Sequence, residues 1–91
     1  MQTQWTSKAL SDLRRLHEFL ARSDARAATG LVRSLAAAPD ILQSNPRIGH
    51  QLDTFLPREV RRIIVGQYEL RYEIAAGDIY ILRIWHNRES R

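Results

Sequence analysis

Ninety-one residues, 44% of them apolar, supply one hydrophobic core and not two; a chain of this size buries roughly 60 to 70% of the surface it exposes when unfolded. There is no cysteine, which excludes a disulfide framework and a thiolate metal site. Fourteen cations, all arginine except Lys8, outnumber the ten carboxylates and leave a net charge of +4, a balance that suits an acidic partner and equally suits a solvated surface.

The opening MQTQWTSKAL has neither the basic flank nor the apolar run of a signal peptide, and nowhere do 18 apolar residues follow one another. A soluble cytoplasmic protein with no membrane partner, folded as one domain over residues 1–91, is the expectation. Gln2 to Trp5 reads as a short edge strand, and Thr6-Ser7 as the cap of a helix. From Lys8 to Arg22 the apolar residues Ala9, Leu13, Leu16 and Leu20 recur at three and four, Leu10 widens the stripe, and Lys8, Asp12, Arg15 and Arg22 lie off it. Asp24 offers a second cap, and Ala28, Leu31, Val32, Leu35 and Leu42 continue the helical period to about Gln43. Pro39 is expected to kink or break that helix near Ala38. The small residues Ala25, Ala27, Ala28 and Gly30 would let the two helices approach closely.

Ser44 to Pro57 has no sustained period and carries Asn45-Pro46, Gly49 and Pro57, so it reads as a connecting loop. The period then changes to two. Val60 to Val65 is apolar and β-branched, Gly66-Gln67 suits a hairpin turn, and Tyr68 to Ile74 alternates, with Glu69, Arg71 and Glu73 on one face. Ala76-Gly77-Asp78 makes a second turn into a third strand, Ile79 to Trp85. The predicted fold is α+β: an N-terminal helical hairpin packed on one face of a small antiparallel sheet, with the edge strand added to a three-stranded meander. In the last strand a buried unpartnered Arg is costly. Arg83 is therefore placed on the open face beside Ile81 and Trp85, with Tyr80, Leu82 and Ile84 in the core.

Little in the chain suggests a cofactor. His17, His50 and His86 belong to three different elements, no acidic cluster has ligand spacing, and the glycines at 30, 49, 66 and 77 are dispersed, so neither a metal centre nor a phosphate loop is expected. No nucleophile elbow is present. What stands out is a basic set on or beside the sheet, Arg61, Arg62, Arg71, Arg83, His86, Arg88 and Arg91. Such arginines could grip phosphate, neutralise charge developing on a phosphoryl group, or pair with the carboxylates of an acidic protein.

The stretches NPRIGHQLD (45 to 53), VRRIIVGQYELRYEI (60 to 74) and IYILRIWHNRE (79 to 89) resemble the corresponding loop and strands of the ParE/RelE superfamily of toxins from type II toxin-antitoxin modules. That resemblance implies a toxin neutralised by a cognate antitoxin. It also offers two mechanisms. RelE-like members cleave mRNA in the ribosome, and their best-known pattern has an Arg directly after the first Tyr of the hairpin and a Tyr some six residues beyond the terminal Arg. Here Glu69 follows Tyr68 and the sequence carries no such Tyr after Arg88; a carboxylate would repel the scissile phosphate. The ParE-like branch, whose members inhibit DNA gyrase, is the closer resemblance, with plasmid stabilisation and growth arrest as its associated roles. It implies a protein that binds without catalysing, partnered by a ParD-like antitoxin and by gyrase, with no sequence-specific nucleic-acid contact. Arg71, Arg83, Trp85, His86 and Arg88 are the candidate target contacts, and Leu13, Leu16, Ile81, Arg83 and Trp85 the candidate antitoxin contacts. The antitoxin is expected to fold on this surface, in part as a strand added to a free sheet edge. The alternative is a ribosome-dependent RNase with His86 as base and Arg88 as phosphate ligand.

Overall fold

Thr6 begins the first helix and ties it to the sheet. Its hydroxyl oxygen accepts from the Ala9 N–H at 3.1 Å, the N-cap expected of a Thr, and the same hydroxyl donates to the Ile81 carbonyl at 2.7 Å. The computed structural model describes residues 1–89; Arg91 of the predicted basic set lies outside them. In chain order the elements are β1 (Thr3–Trp5), α1 (Ser7–Ala21), α2 (Ala25–Ala37), α3 (Pro39–Ser44), β2 (His50–Gln51), a 3-10 turn at Asp53–Phe55, β3 (Glu59–Val65), β4 (Tyr68–Ala75) and β5 (Asp78–His86). The sheet runs β1-β5-β4-β3-β2, with β1 parallel to β5 and every other pair antiparallel. This is the α+β arrangement expected, the helices covering one face.

Asp24 caps α2 by accepting from the Ala27 N–H at 3.0 Å, and Pro39 ends that helix and starts α3. Leu16, Leu35 and Leu42 pack from the helices against Leu70, Tyr72, Ile79, Ile81 and Ile84 of the sheet. Of the small residues on α2 only Ala28 is buried. A Cβ added at Gly30 would meet nothing within 4 Å, so that glycine is not a close-approach site.

The loop between α3 and β3 contains β2, a two-residue strand too short to show a period. Gly49 explains why the loop lies where it does. Its N–H donates to the Tyr72 hydroxyl at 3.0 Å, that hydroxyl donates to the Pro46 carbonyl at 2.7 Å, and Arg61 donates to the Gly49 carbonyl at 2.8 Å. A Cβ here would stand 2.6 Å from the Tyr72 hydroxyl and 2.7 Å from the Arg62 carbonyl oxygen. Since a backbone atom cannot give way cheaply, Gly49→Ala is expected to lower the unfolding free energy by about 2 kcal/mol through lost hydrogen bonds and strain. Urea unfolding measures this, and an unchanged midpoint would show that the loop does not hold Tyr72.

The last strand departs from the predicted alternation. Arg71 pairs with Arg83 and Tyr72 with Ile81, so Leu82 is an extra residue, a β-bulge. A bulge reverses which residues face the core. Before it, Ile79 and Ile81 point inward and are fully buried, while Tyr80 is half-buried; after it, Ile84 points inward. Ile81 is therefore a core residue and not part of the open face, and Tyr80 and Leu82 are not in the core. Arg83 and Trp85 do share the face away from the helices.

Candidate functional site

The open face is built from alternate residues of β4 and β5, which the antiparallel register brings side by side. Glu69 stands opposite Trp85, and Arg71 opposite Arg83. Their side chains form a stack. The Arg71 guanidinium carbon lies 5.3 Å from the Phe55 ring centroid and 4.6 Å from the Trp85 ring centroid, and the Arg83 guanidinium carbon lies 4.9 Å from the Trp85 ring centroid. Trp85 is left only 7% exposed. The Nε of Arg71, buried in this stack, has no hydrogen-bond acceptor among the described residues. Attraction between a cation and a ring, on the order of 1 kcal/mol each, compensates in part.

Acidic residues neutralise both ends. Glu69, 1% exposed, accepts from Arg62 at 3.2 Å and from Arg71 at 3.4 Å. Asp12, from α1, accepts from Arg83 Nε at 2.8 Å and Nη2 at 3.2 Å, and from the Ile84 N–H at 2.9 Å. The last of these bonds has a topological cause: β1 stops at Trp5, and from there on a helix carboxylate takes the place of the missing strand along β5. Burial alone would raise the Asp12 carboxyl, but the hydrogen bonds from Arg83 and Ile84 and the Arg83 charge hold it below its ordinary value. The hydrogen bond to Asp12 in turn holds Arg83 protonated above the usual guanidinium range. Asp12 was expected off the buried stripe of α1; it is buried because it serves β5.

His86 and Arg88 lie elsewhere, around the end of β5. With Arg15, Phe19 and Tyr68 they line a groove of about 720 Å³ whose floor includes Leu16. The Arg88 N–H donates to His86 Nδ1 at 3.1 Å, which places the ring proton on Nε2, 3.2 Å from the Gln67 side-chain oxygen. Both ring nitrogens are thus engaged, and Tyr68 meets the ring edge-on at 5.1 Å. Glu89 closes one side, taking a 2.6 Å hydrogen bond from Arg15 and another from the His86 N–H at 3.0 Å. Arg88 itself is exposed.

The sequence-predicted residues accordingly divide. Arg71, Arg83 and Trp85 form one interlocked stack, His86 and Arg88 a separate groove. Leu16 and Ile81, expected as antitoxin contacts, are buried at 6% and 0% exposure, and Trp85 is no open apolar anchor; Leu13 is half-buried against the core. Arg61, a member of the predicted basic set, is a loop clamp bonded to Arg47, Gly49, Gln51 and Glu59. Residues not anticipated are Phe19, exposed on α1, and the exposed trio Ile41, Ile48 and Ile64. Their signal was available as apolar residues off the core stripe. Among the described residues no three His, Asp or Glu side chains come together as metal ligands, and no helix is long and apolar enough to cross a membrane.

A two-helix hairpin laid on a five-stranded sheet, with an arginine-rich open face, is the architecture that the resemblance to the ParE/RelE superfamily implies. The chain belongs to the ParE toxin family of type II toxin-antitoxin systems, parDE, whose family model matches residues 3–91. Among curated relatives it is similar to Toxin RelE2 of Caulobacter vibrioides, 34% identical over 85 residues and 93% of each chain. It is also similar to Toxin RelE1 of the same organism, 36% identical over 86 residues, covering 92% of this chain and 90% of the relative. The fold matches a chain of the chromosomal ParDE toxin-antitoxin system from P. aeruginosa with a TM-score of 0.79 at 22% identity, over 94% of this chain and 95% of that one.

Proposed function

We propose that this toxin acts by binding, inhibiting DNA gyrase in the cytoplasm without chemistry of its own, and is neutralised by a ParD-like antitoxin. The observation that carries this reading is the occupancy of the sheet arginines. A nuclease of this fold needs cations free to meet a phosphate, whereas Arg62 and Arg71 are turned to Glu69, Arg83 to Asp12, and Arg61 to the loop. A carboxylate buried in the middle of the face adds repulsion for any phosphate placed there. The groove at the end of β5 is then the target surface, with Arg88 and Phe19 as its accessible contacts and the Arg71-Trp85-Arg83 stack holding β5 in position.

The names of the two Caulobacter relatives favour a second reading, an RNase using His86 and Arg88. Against it, His86 Nδ1 accepts the Arg88 N–H and Nε2 meets the Gln67 side chain, so a substrate hydroxyl would have to displace one of these contacts to reach the ring. Purified toxin added to a gyrase supercoiling reaction, and separately to translating ribosomes, distinguishes the two. Inhibited supercoiling with intact transcripts is expected; cleaved transcripts with normal supercoiling would reverse the conclusion. Arg88→Glu is expected to weaken gyrase inhibition by about tenfold, as charge reversal at an exposed contact does, with an unchanged melting temperature.

A further inference from the structure

β5 ends at His86, yet Asn87, Arg88 and Glu89 do not trail away from the sheet. The Asn87 N–H donates to the Gln67 carbonyl at 2.8 Å, which ties the chain to the turn between β3 and β4. The Glu89 N–H donates to the His86 carbonyl at 3.0 Å and closes a four-residue turn. Glu89 then reaches back, and its Oε1 accepts from the His86 N–H at 3.0 Å. Arg88 lies inside this turn, its own N–H held by His86 Nδ1 at 3.1 Å. A turn this short, beyond the last strand, has little stability of its own, because few contacts offset the entropy of ordering it.

What fixes it is a tie to α1. The second oxygen of Glu89, Oε2, accepts from Arg15 Nη1 at 2.6 Å, a charge-assisted bond between residues 74 apart in sequence. Among the described residues this is the one ion pair that joins the turn to the helices. Arg15 is itself held from behind, its Nη2 lying 3.4 Å from both Asp12 Oδ1 and the Ile84 carbonyl oxygen. A chain of contacts thus runs from Arg83 through Asp12, Arg15 and Glu89 to His86 and Arg88, and it links the stack on the open face with the groove. Burial alone would raise the Glu89 carboxyl, but the bonds from the His86 N–H and from Arg15 hold it below its ordinary value, so it is charged at neutral pH.

The sign of Glu89 separates two roles it could have. It stands on the wall of the groove beside Arg15, whose charge it cancels, and next to Arg88 in the chain. Acting on a partner through its charge alone, it would repel the acidic group that Arg88 attracts, and removing it would tighten binding. We propose instead that Glu89 is a positioning residue for target binding: through its bond to Arg15 it locks the turn that presents the Arg88 side chain at the mouth of the groove. Arg88 then meets an acidic group on the partner without first losing the freedom of a loose segment. That role rests on the groove being the target surface, and it adds to that reading what holds Arg88 in place.

The natural toxin, Glu89→Ala, Arg88→Ala and the double variant are titrated into the gyrase supercoiling reaction, and the same four chains are expressed in growing cells. Glu89→Ala is expected to weaken inhibition about threefold although it makes the chain more positive, and to have no further effect in the Arg88→Ala background. The backbone order parameter of the Arg88 amide, about 0.85 in the natural chain, is expected to fall below about 0.6 in Glu89→Ala while that of Ile84 holds. Glu89→Gln keeps an oxygen for the His86 N–H and should fall between the two. Tighter inhibition by Glu89→Ala, losses from the two substitutions that multiply, or an Arg88 amide that stays rigid would each overturn the positioning role. Natural toxin that leaves supercoiling untouched yet arrests growth would overturn the gyrase target alone, since the same non-additivity read in growth arrest still decides the role of Glu89. Toxin that arrests no growth would overturn both.

Discussion

Replacing Asp12 with alanine is expected to lower the unfolding free energy by about 3 kcal/mol, as loss of one partner from a buried charged network does. In a chain of this size that corresponds to a fall in melting temperature on the order of 15 °C. The reason lies in what the carboxylate leaves behind. Asp12 is 5% exposed and is the acceptor for both Arg83 and the buried N–H of Ile84. Arg83, about a third exposed, recovers some hydration after the substitution, but the Ile84 amide, facing α1 where β1 has ended, does not. Asp12→Asn separates the charge from the acceptor. Its amide oxygen can still take the Ile84 N–H, so it should lose less than alanine does.

The same carboxylate carries a pH signature. Because the folded state holds Asp12 below its ordinary pKa, the unfolded chain takes up the proton first as pH falls. The stabilisation is complete above the unfolded value of about 3.9 and disappears as pH drops through the folded value. The gap in stability between the natural chain and Asp12→Asn should therefore stay constant from neutrality to about pH 5 and narrow from about pH 4 downward. Denaturant titrations at three or four pH values measure it. A gap that widened on acidification would mean that Asp12 is held neutral, contrary to its four-way contact with Arg83, Arg15 and the β5 backbone.

Why Asp12 escaped a reading of the sequence is instructive. Helical periodicity separates apolar stripe from polar face, and on that rule a lone Asp between Ala9 and Leu16 belongs outside. The rule assumes that the helix faces only side chains. Here α1 also runs along a strand edge with a free N–H, and a short acceptor was needed there. The bulge at Leu82 was hidden for a related reason. Ile79 to Trp85 alternates well in either phase, since Ile81 and Leu82 are both apolar, so nothing in the pattern announces the residue at which the phase reverses. By contrast, the helix caps at Thr6 and Asp24, the break at Pro39 and the turn at Gly66-Gln67 each depend on one residue's own backbone chemistry, and those were legible. The family resemblance was legible over the strands. Which arginines were free was not, because occupancy depends on Glu69 and Asp12, one across a strand and the other 71 residues away.

Trp85→Ala is expected to cost about 3 to 5 kcal/mol, the range for emptying a buried aromatic site. The value should sit toward the upper end, since two guanidinium groups lose their stacking surface together with the packing. The Nε of Arg71, without an acceptor among the described residues, gains access to water once the ring is gone, which offsets a small part of that loss. Trp85→Phe retains a ring against Arg71 and Arg83 and should recover more than half of the loss. Parallel melts and gyrase assays then distinguish scaffold from contact surface. If Trp85 worked as an exposed anchor, alanine would abolish inhibition while the melting temperature held. With the indole 7% exposed and in contact with two guanidinium groups, inhibition and stability should instead fall together, with phenylalanine restoring both. Arg88→Ala should do the opposite, weakening inhibition on a chain that melts as before, because its side chain is exposed at the groove mouth rather than built into the stack.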